Sequence, residues 1–132
     1  MVDRQIIDEW LSKAEDDFRF AEMVLSEEKE YYDQICFHFQ QSAEKYLKAF
    51  IIANNLGFEK THDLPLLLQK CIRKDPAFSD LQDSCGYQTA FYIQSRYPMD
   101  WPVATTKDKA HRALEAASTI RDVVRSRLIN RK

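Results

Sequence analysis

Apolar residues recur at steps of three and four along three long segments, and this spacing constrains the fold more than any other feature. On an α-helix such residues fall on one face, so the spacing predicts helices from about Arg4 to Leu25, from about Tyr32 to Asn54, and from a cap at Thr105 to about Asn130. The chain has only 2 Gly and 4 Pro, which leaves few turn residues for a many-stranded sheet. The apolar stripes are Ile7, Trp10, Leu11, Ala14, Phe18, Ala21 and Leu25 in the first segment; Cys36, Phe39, Ala43, Tyr46, Leu47 and Phe50 in the second; and Ala110, Ala113, Leu114, Ala117, Ile120, Val124 and Leu128 in the last.

Capping signals predict two shorter helices between the long ones. The third helix runs from Leu64 to about Arg73, with Asp63 as its N-cap and Pro65 in its first turn. Ser79 followed by Gln82 has the spacing of a capping box, and it predicts a fourth helix that continues to about Gln94.

Thr105 followed by Asp108 has the same spacing and predicts the start of the last helix. Long helices joined by modest loops favour an all-α fold, an up-and-down antiparallel four-helix bundle with one short extra helix. We expect residues 1–132 to form a single domain.

Charge is distributed unevenly, although the formal net charge is only -2. Residues 1–33 hold 4 basic and 11 acidic side chains (4 − 11 = −7), and residues 105–132 hold 8 basic and 3 acidic ones (8 − 3 = +5). Two interpretations remain open. The acidic first helix and the basic last helix attract each other when packed, or the basic end meets an anionic partner.

Three cysteines without C-x-x-C spacing indicate reduced thiols, with Cys36 in the core. The charged start "MVDRQIIDEW" has no long apolar run, and no segment has the roughly 18 apolar residues of a membrane span. We therefore expect a cytoplasmic protein.

The common cofactor and metal motifs are absent. There is no Gly-rich phosphate or dinucleotide loop, and His38, His62 and His111 lie in different segments without metal-ligand spacing. We expect neither a bound metal nor a cofactor.

The second helix carries a polar face opposite its apolar stripe, formed by Gln41, Glu44, Lys45 and Lys48. One interpretation is a solvated face, with the pairs Glu44–Lys48 and Gln41–Lys45 each contributing about 0.3–0.5 kcal/mol. Phe37 and Ile52 lie on this face as well. Since a purely solvated face has little use for them, the alternative is a binding or assembly surface.

Three further residues could take part in chemistry. His62 in "KTHDLP" precedes the third helix, where a capping or loop-packing role is the simpler interpretation. Arg96 and Tyr97 in "SRYP" end the fourth helix, where a cation is ordinarily stabilised by the helix dipole. Trp10 and Trp101 are expected to pack in the core or in a loop.

The segments "WLSKAEDDFRFAEMVL", "FHFQQSAEKYLKAF", "KTHDL", "SRYP" and "HRALEAASTIRDVV", in this order, resemble the HEPN family over nearly the whole chain. The resemblance implies a bundle like the helical domain of kanamycin nucleotidyltransferase, a homodimer, and in many cases a minimal nucleotidyltransferase as partner. Some members are metal-independent ribonucleases, including toxins, with an Arg followed four to six residues later by a His. Arg96 is the candidate Arg here, but the following positions hold Asp100, Trp101 and Pro102.

We therefore expect a non-catalytic HEPN module that binds a nucleotide or an RNA phosphate and acts with a partner protein, in a pair of the toxin–antitoxin kind. The lysines would attract a phosphate as point charges, and the planar guanidinium of Arg96 would donate two hydrogen bonds to it. Tyr97 would provide a stacking surface for a base. Two alternatives stay open. They are a ribonuclease that uses Arg96 with His62, and a module that binds only proteins. The predicted binding residues are Lys45, Lys48, His62, Arg96 and Tyr97, and the predicted dimer contacts are Phe37, Gln41 and Ile52.

Overall fold

The structure, a computed structural model, describes residues 3–94 and 105–129, and over 89–94 it describes the backbone alone. Every regular element among these described residues is a helix, and none is a strand. The predicted all-α fold is confirmed. Of the five predicted helices, four have both ends within two residues of the prediction, an ordinary margin for helix ends, and the fourth begins later than predicted. The elements are α1 (Arg4–Ser26), α2 (Tyr32–Ala53), α3 (Leu64–Lys74), a 3₁₀ helix (Pro76–Leu81), α4 (Gln82–Gln94) and α5 (Lys107–Leu128).

Helix α2 is the centre of the bundle and packs against α1, α3, α4 and α5. The connection between α1 and α2 spans residues 27–31, which is short enough to make these two helices antiparallel neighbours. The predicted short extra helix is α3. Because α2 touches every other α-helix, four of its polar side chains are buried: Gln40, Ser42, Glu44 and Lys48.

The core divides into two apolar clusters along α2. The larger cluster includes Tyr46 and Leu47 of α2 together with side chains from α1, α3, α5 and the 3₁₀ helix. In the smaller one Phe18 and Phe39 meet edge to face with their ring centroids 5.4 Å apart. The small side chains of α5 complete that cluster and let α5 approach α2 closely; they are Ala110, Ala113 and Ala117.

Two of the three predicted N-caps need correction. Asp63 caps α3 as expected, since its carboxylate accepts a hydrogen bond from the Leu66 backbone N–H. The cap of α5 is Thr106 rather than Thr105, and its hydroxyl accepts from the Lys109 N–H at 3.2 Å.

The predicted capping box at Ser79 is wrong, because Ser79 lies inside the 3₁₀ helix. Asp75 caps that helix instead, by accepting from the Ala77 N–H, and Pro76 follows in its first turn. Proline at this position needs no N–H partner and has the right φ, so the helical path begins before Ser79 is reached.

The acidic and basic ends of the chain attract each other within the fold, as the simpler interpretation predicted. Glu15 of α1 accepts two hydrogen bonds from the Arg121 guanidinium of α5, at 2.7 and 2.8 Å. These bonds are the main reason that the pKa of Glu15 falls from 4.5 to about 2. Part of the charge asymmetry is therefore used to join α1 to α5.

All three cysteines are buried and unbridged, and the prediction that Cys36 belongs to the core is confirmed. Burial raises the pKa of each thiol to about 12. Within residues 3–94 and 105–129, none of the helices is long and apolar enough to cross a bilayer.

Candidate functional site

The polar face of α2 is not a solvated face. Glu44 is 3% exposed and Lys48 is 6% exposed, so the solvated interpretation is wrong for these two residues. Their predicted pair forms, with Lys48 Nζ 2.9 Å from Glu44 Oε2. The predicted pair between Gln41 and Lys45 does not form, because the Gln41 amide donates to the Gln40 side chain and Lys45 reaches α1.

Two aromatic rings surround the buried Lys48. Its Nζ lies 5.9 Å from the ring centroid of Trp10 on α1 and 5.6 Å from that of Phe58, in the connector between α2 and α3. The two rings are themselves 5.6 Å apart. A buried ammonium is stable only when it is paired, and the Glu44 carboxylate together with the ring faces provides that environment.

His62 completes this cluster from the connector. Its Nδ1 lies 2.8 Å from Glu44 Oε1. Since an ionised carboxylate can only accept, Nδ1 carries the proton and donates, which leaves Nε2 as the acceptor nitrogen of the neutral ring. The His62 side chain is 51% exposed, whereas that of Glu44 is 4% exposed. A buried carboxylate thus holds an imidazole at the surface in one orientation.

The connector that carries His62 and Phe58 has a defined backbone. Asn55 and Gly57 have φ values of 54° and 88°, in the left-handed region that Gly and Asn tolerate best. Lys70 of α3 donates to the Gly57 carbonyl at 2.6 Å and pairs with Glu59 at 3.0 Å. The connector is therefore tied to α3 by Lys70 and to α2 by His62.

A second carboxylate arranges a lysine and a histidine in the same way. Asp17 of α1 pairs with Lys45 and with Nδ1 of His38, which lies 3.2 Å away. Burial alone raises the pKa of Asp17, but hydrogen bonds from His38 and Lys45 outweigh it and keep the pKa below its ordinary value. Lys45 and His38 both belong to α2, so this group joins α1 to α2, and Lys45 is a helix-packing residue here.

The other predicted residues are placed as follows. Arg96 and Tyr97 lie outside the described residues. Phe37 is partly buried with its ring 5.6 Å from that of His38, and Ile52 packs against the larger core cluster. The structure thus brings Lys48 and His62 together and places Lys45 in a different cluster.

The Glu44–His62 pair can accept a proton at Nε2 of the neutral ring, which suits acid–base chemistry. A hydrogen bond to a phosphate requires the protonated ring, in which Nε2 also donates. Among the residues that the structure describes, no three His, Cys, Asp or Glu side chains are grouped to hold a metal ion.

Sequence reasoning missed Phe58 as a neighbour of Lys48, because Phe58 belongs to an irregular connector without any periodic signal.

The fold and the polar site on its central helix place this protein among the all-α helical bundles. The chain belongs to the HEPN family, since the family profile for the HEPN domain matches residues 7–127. The predicted resemblance is confirmed.

Two solved structures share this fold. One is described as the crystal structure of TT1696 from Thermus thermophilus, with 28% identity and a TM-score of 0.81 over 91% of this chain and 96% of that one. The other is described as ST0689, an archaeal HEPN homologue, with 24% identity and a TM-score of 0.72 over 92% of this chain and 97% of that one. The comparison with curated proteins finds no match.

Proposed function

We propose that this protein is a HEPN module that binds a nucleotide or an RNA phosphate and acts in the cytoplasm, as a homodimer, with a partner such as a minimal nucleotidyltransferase. The pair would be of the toxin–antitoxin kind. The observation that carries the binding proposal is the buried Glu44, which holds the half-exposed His62 and the buried Lys48 at the same place. Membership of the HEPN family supports it.

The contacts change the roles proposed for the lysines. Lys45 and Lys48 each have a carboxylate partner at hydrogen-bonding distance, so neither is a bare charge for a phosphate. His62 also has a carboxylate partner, but its side chain is 51% exposed, against 26% for Lys45 and 7% for Lys48. Phosphate recognition would then rest on His62 and on the planar guanidinium of Arg96, with Tyr97 as a stacking surface. With one or two phosphate contacts, we expect the affinity for single-stranded RNA to fall with salt at a log–log slope of about −0.7 to −1.4.

The test measures binding and cleavage of the same fluorescent RNA oligonucleotide, by anisotropy over a salt series and by gel electrophoresis. We expect binding and intact RNA for the wild type. The Arg96→Ala variant should lose about 1.5–3 kcal/mol of binding free energy if its charge-assisted bonds are partly desolvated. The His62→Ala variant should bind more weakly, whereas His38→Ala, which removes the other carboxylate-held imidazole, should bind as the wild type does.

A ribonuclease is the second candidate function, and the Glu44–His62 hydrogen bond favours it. A carboxylate that orients an imidazole through Nδ1 is a recurring arrangement in enzymes that use His as a general base. In that case RNA is cleaved in the presence of a chelator, and cleavage disappears in Arg96→Ala and in His62→Ala. That result would replace the binding module by an enzyme, and the absence of both binding and cleavage would favour a module that binds only proteins.

The proposed dimer uses Phe37 and Gln41 of the α2 surface, with Ile52 as a contact at the edge of the core. Phe37 is the residue to change, because Ile52 already contributes to the core of one copy. Equilibrium sedimentation of the wild type should give twice the 15.6 kDa mass of the chain, and Phe37→Asp should give the monomer. A wild-type monomer at micromolar concentration would remove the homodimer from the proposal.

A further inference from the structure

Phe58 is a large apolar side chain in the connector, and it is 45% exposed. A single exposed apolar residue needs no special explanation. The surroundings of Phe58 are what make it informative, since its ring lies 5.6 Å from both Lys48 Nζ and the ring of Trp10. Lys48 in turn shares Glu44 with His62.

These contacts form a continuous series across the site. Phe58 is at one end, the buried pair of Lys48 and Glu44 is in the middle, and His62 is at the other end. Phe58 therefore lies beside the lysine of this ion pair, and His62 contacts its carboxylate. Because Lys48 is paired with Glu44, the ammonium beside the Phe58 ring already has its counter-charge.

The backbone beside Phe58 is held before any ligand arrives. Lys70 donates to the carbonyl of Gly57, the preceding residue, and pairs with Glu59, the following one. An aromatic ring on a fixed backbone loses little conformational entropy when it stacks against a ligand.

We propose that Phe58, supported by Trp10 and Lys48, is a base-stacking subsite that takes a nucleobase of single-stranded RNA while His62 contacts the adjoining phosphate. This inference rests on the nucleotide- or RNA-binding function proposed above. An aromatic ring stacks on any base, since every base has a π-face, and preferences follow stacking strength rather than hydrogen bonding. The subsite therefore accepts all four bases and favours the larger purines.

The competing explanation is that Phe58 only covers Trp10 and the Lys48 side chain. Leucine would serve as such a cover, but it has no flat ring. The Phe58→Leu variant separates the two roles, and Phe58→Tyr restores the ring.

The experiment measures the affinity of the full chain for oligoadenylate and oligouridylate of equal length at one salt concentration. We expect wild type and Phe58→Tyr to bind oligoadenylate more tightly. Phe58→Leu and Phe58→Ala should lose about 5- to 100-fold in affinity, and the preference for oligoadenylate should disappear with it. Phe20→Ala is the matched control, because Phe20 is also 45% exposed but lies on α1 beside His38.

The outcomes separate this inference from the function on which it rests. Equal affinity and equal base preference in wild type and Phe58→Leu, with RNA still bound, would overturn the stacking subsite and leave the binding function intact. Failure of the wild type to bind either oligonucleotide would overturn both. Circular dichroism and thermal unfolding of each variant show whether a loss of affinity comes from a loss of fold, and a folded Phe58→Leu without the preference supports the subsite.

Discussion

Replacing Glu15 by Gln removes one charge from the place where α1, α2 and α5 meet. The carboxylate accepts from Arg121 Nε and Nη2 at 2.7 and 2.8 Å, from the Tyr46 hydroxyl, and from Arg19 Nε at 3.0 Å. Its side chain is 14% exposed, so solvent screens these contacts only in part. The amide keeps the size of the side chain but lacks its charge and one of its two acceptor oxygens.

The magnitude follows from the pKa of Glu15, which hydrogen bonds from Arg121 in particular lower from 4.5 to about 2. One pKa unit corresponds to about 1.4 kcal/mol, so ionised Glu15 stabilises the folded state by about 3 kcal/mol at neutral pH. Because the folded-state pKa is the lower one, this stabilisation is complete above the unfolded-state value. It is lost as the pH falls from about 4.5 through 2.

Urea unfolding at a series of pH values measures this difference. We expect Glu15→Gln to lower the free energy of unfolding by about 2–3 kcal/mol at pH 7, with the two proteins converging near pH 2. Asp8→Asn is the control, because Asp8 forms an exposed pair with Arg4 that is worth at most about 1 kcal/mol. A loss that is the same at pH 7 and at pH 2 would mean that Glu15 acts through packing, and no loss at pH 7 would refute the reasoning.

Three smaller perturbations test the connector, a helix cap and the core. Gly57→Ala should cost about 1 kcal/mol or more in urea unfolding, because φ at this residue is +88° and an added Cβ would lie 3.4 Å from Lys70 Nζ; a cost near zero would contradict the strained backbone. Asp63→Ala should cost about 1 kcal/mol by the same assay through loss of the α3 cap, whereas Asp63→Asn, which keeps an acceptor, should cost less. A thiol reagent at pH 8 should leave the native protein unlabelled and label three thiols per chain in urea, since burial raises their pKa to about 12; fast labelling of the native state would contradict this for the residues concerned, Cys36, Cys71 and Cys85.

The helices were predictable because their apolar stripes are long and one-sided. Every member of the first stripe except Trp10 is buried, and Trp10 packs against the core at its edge. The caps were harder, since Thr105 and Thr106 offer the same hydroxyl one residue apart, and backbone geometry selects between them. Asp75 before Pro76 also fits a helix start. The structure shows that the 3₁₀ helix begins there, so Asp75 is the cap and Ser79 lies inside the helix.

The candidate site was predictable only in part. Helical spacing places Glu44 and Lys48 together, but it does not reveal that the connector folds over them and removes them from water. Helical spacing also does not predict the partner of Lys45, because Asp17 is 28 residues away in sequence and lies on another helix. Long-range contacts of this kind depend on how helices are rotated about their axes, which a single stripe fixes only roughly.

Two carboxylates, Asp17 of α1 and Glu44 of α2, have similar partners but different roles. Asp17 and Glu44 each bind one lysine and Nδ1 of one histidine, so composition alone does not distinguish them. They differ in where the histidine comes from. His38 belongs to α2 itself and packs edge-on against the ring of Phe20, so its contact with Asp17 joins two helices.

His62 comes from the connector and is half exposed, so its contact with Glu44 fixes the position of a surface loop. Glu44 also neutralises Lys48, which means that the imidazole and the ammonium share one buried negative charge. A phosphate that draws His62 toward itself would therefore change the balance of charge at Lys48, beside the Phe58 ring. We therefore assign the proposed binding site to the cluster around Glu44, whereas the chemically similar cluster around Asp17 joins α1 to α2.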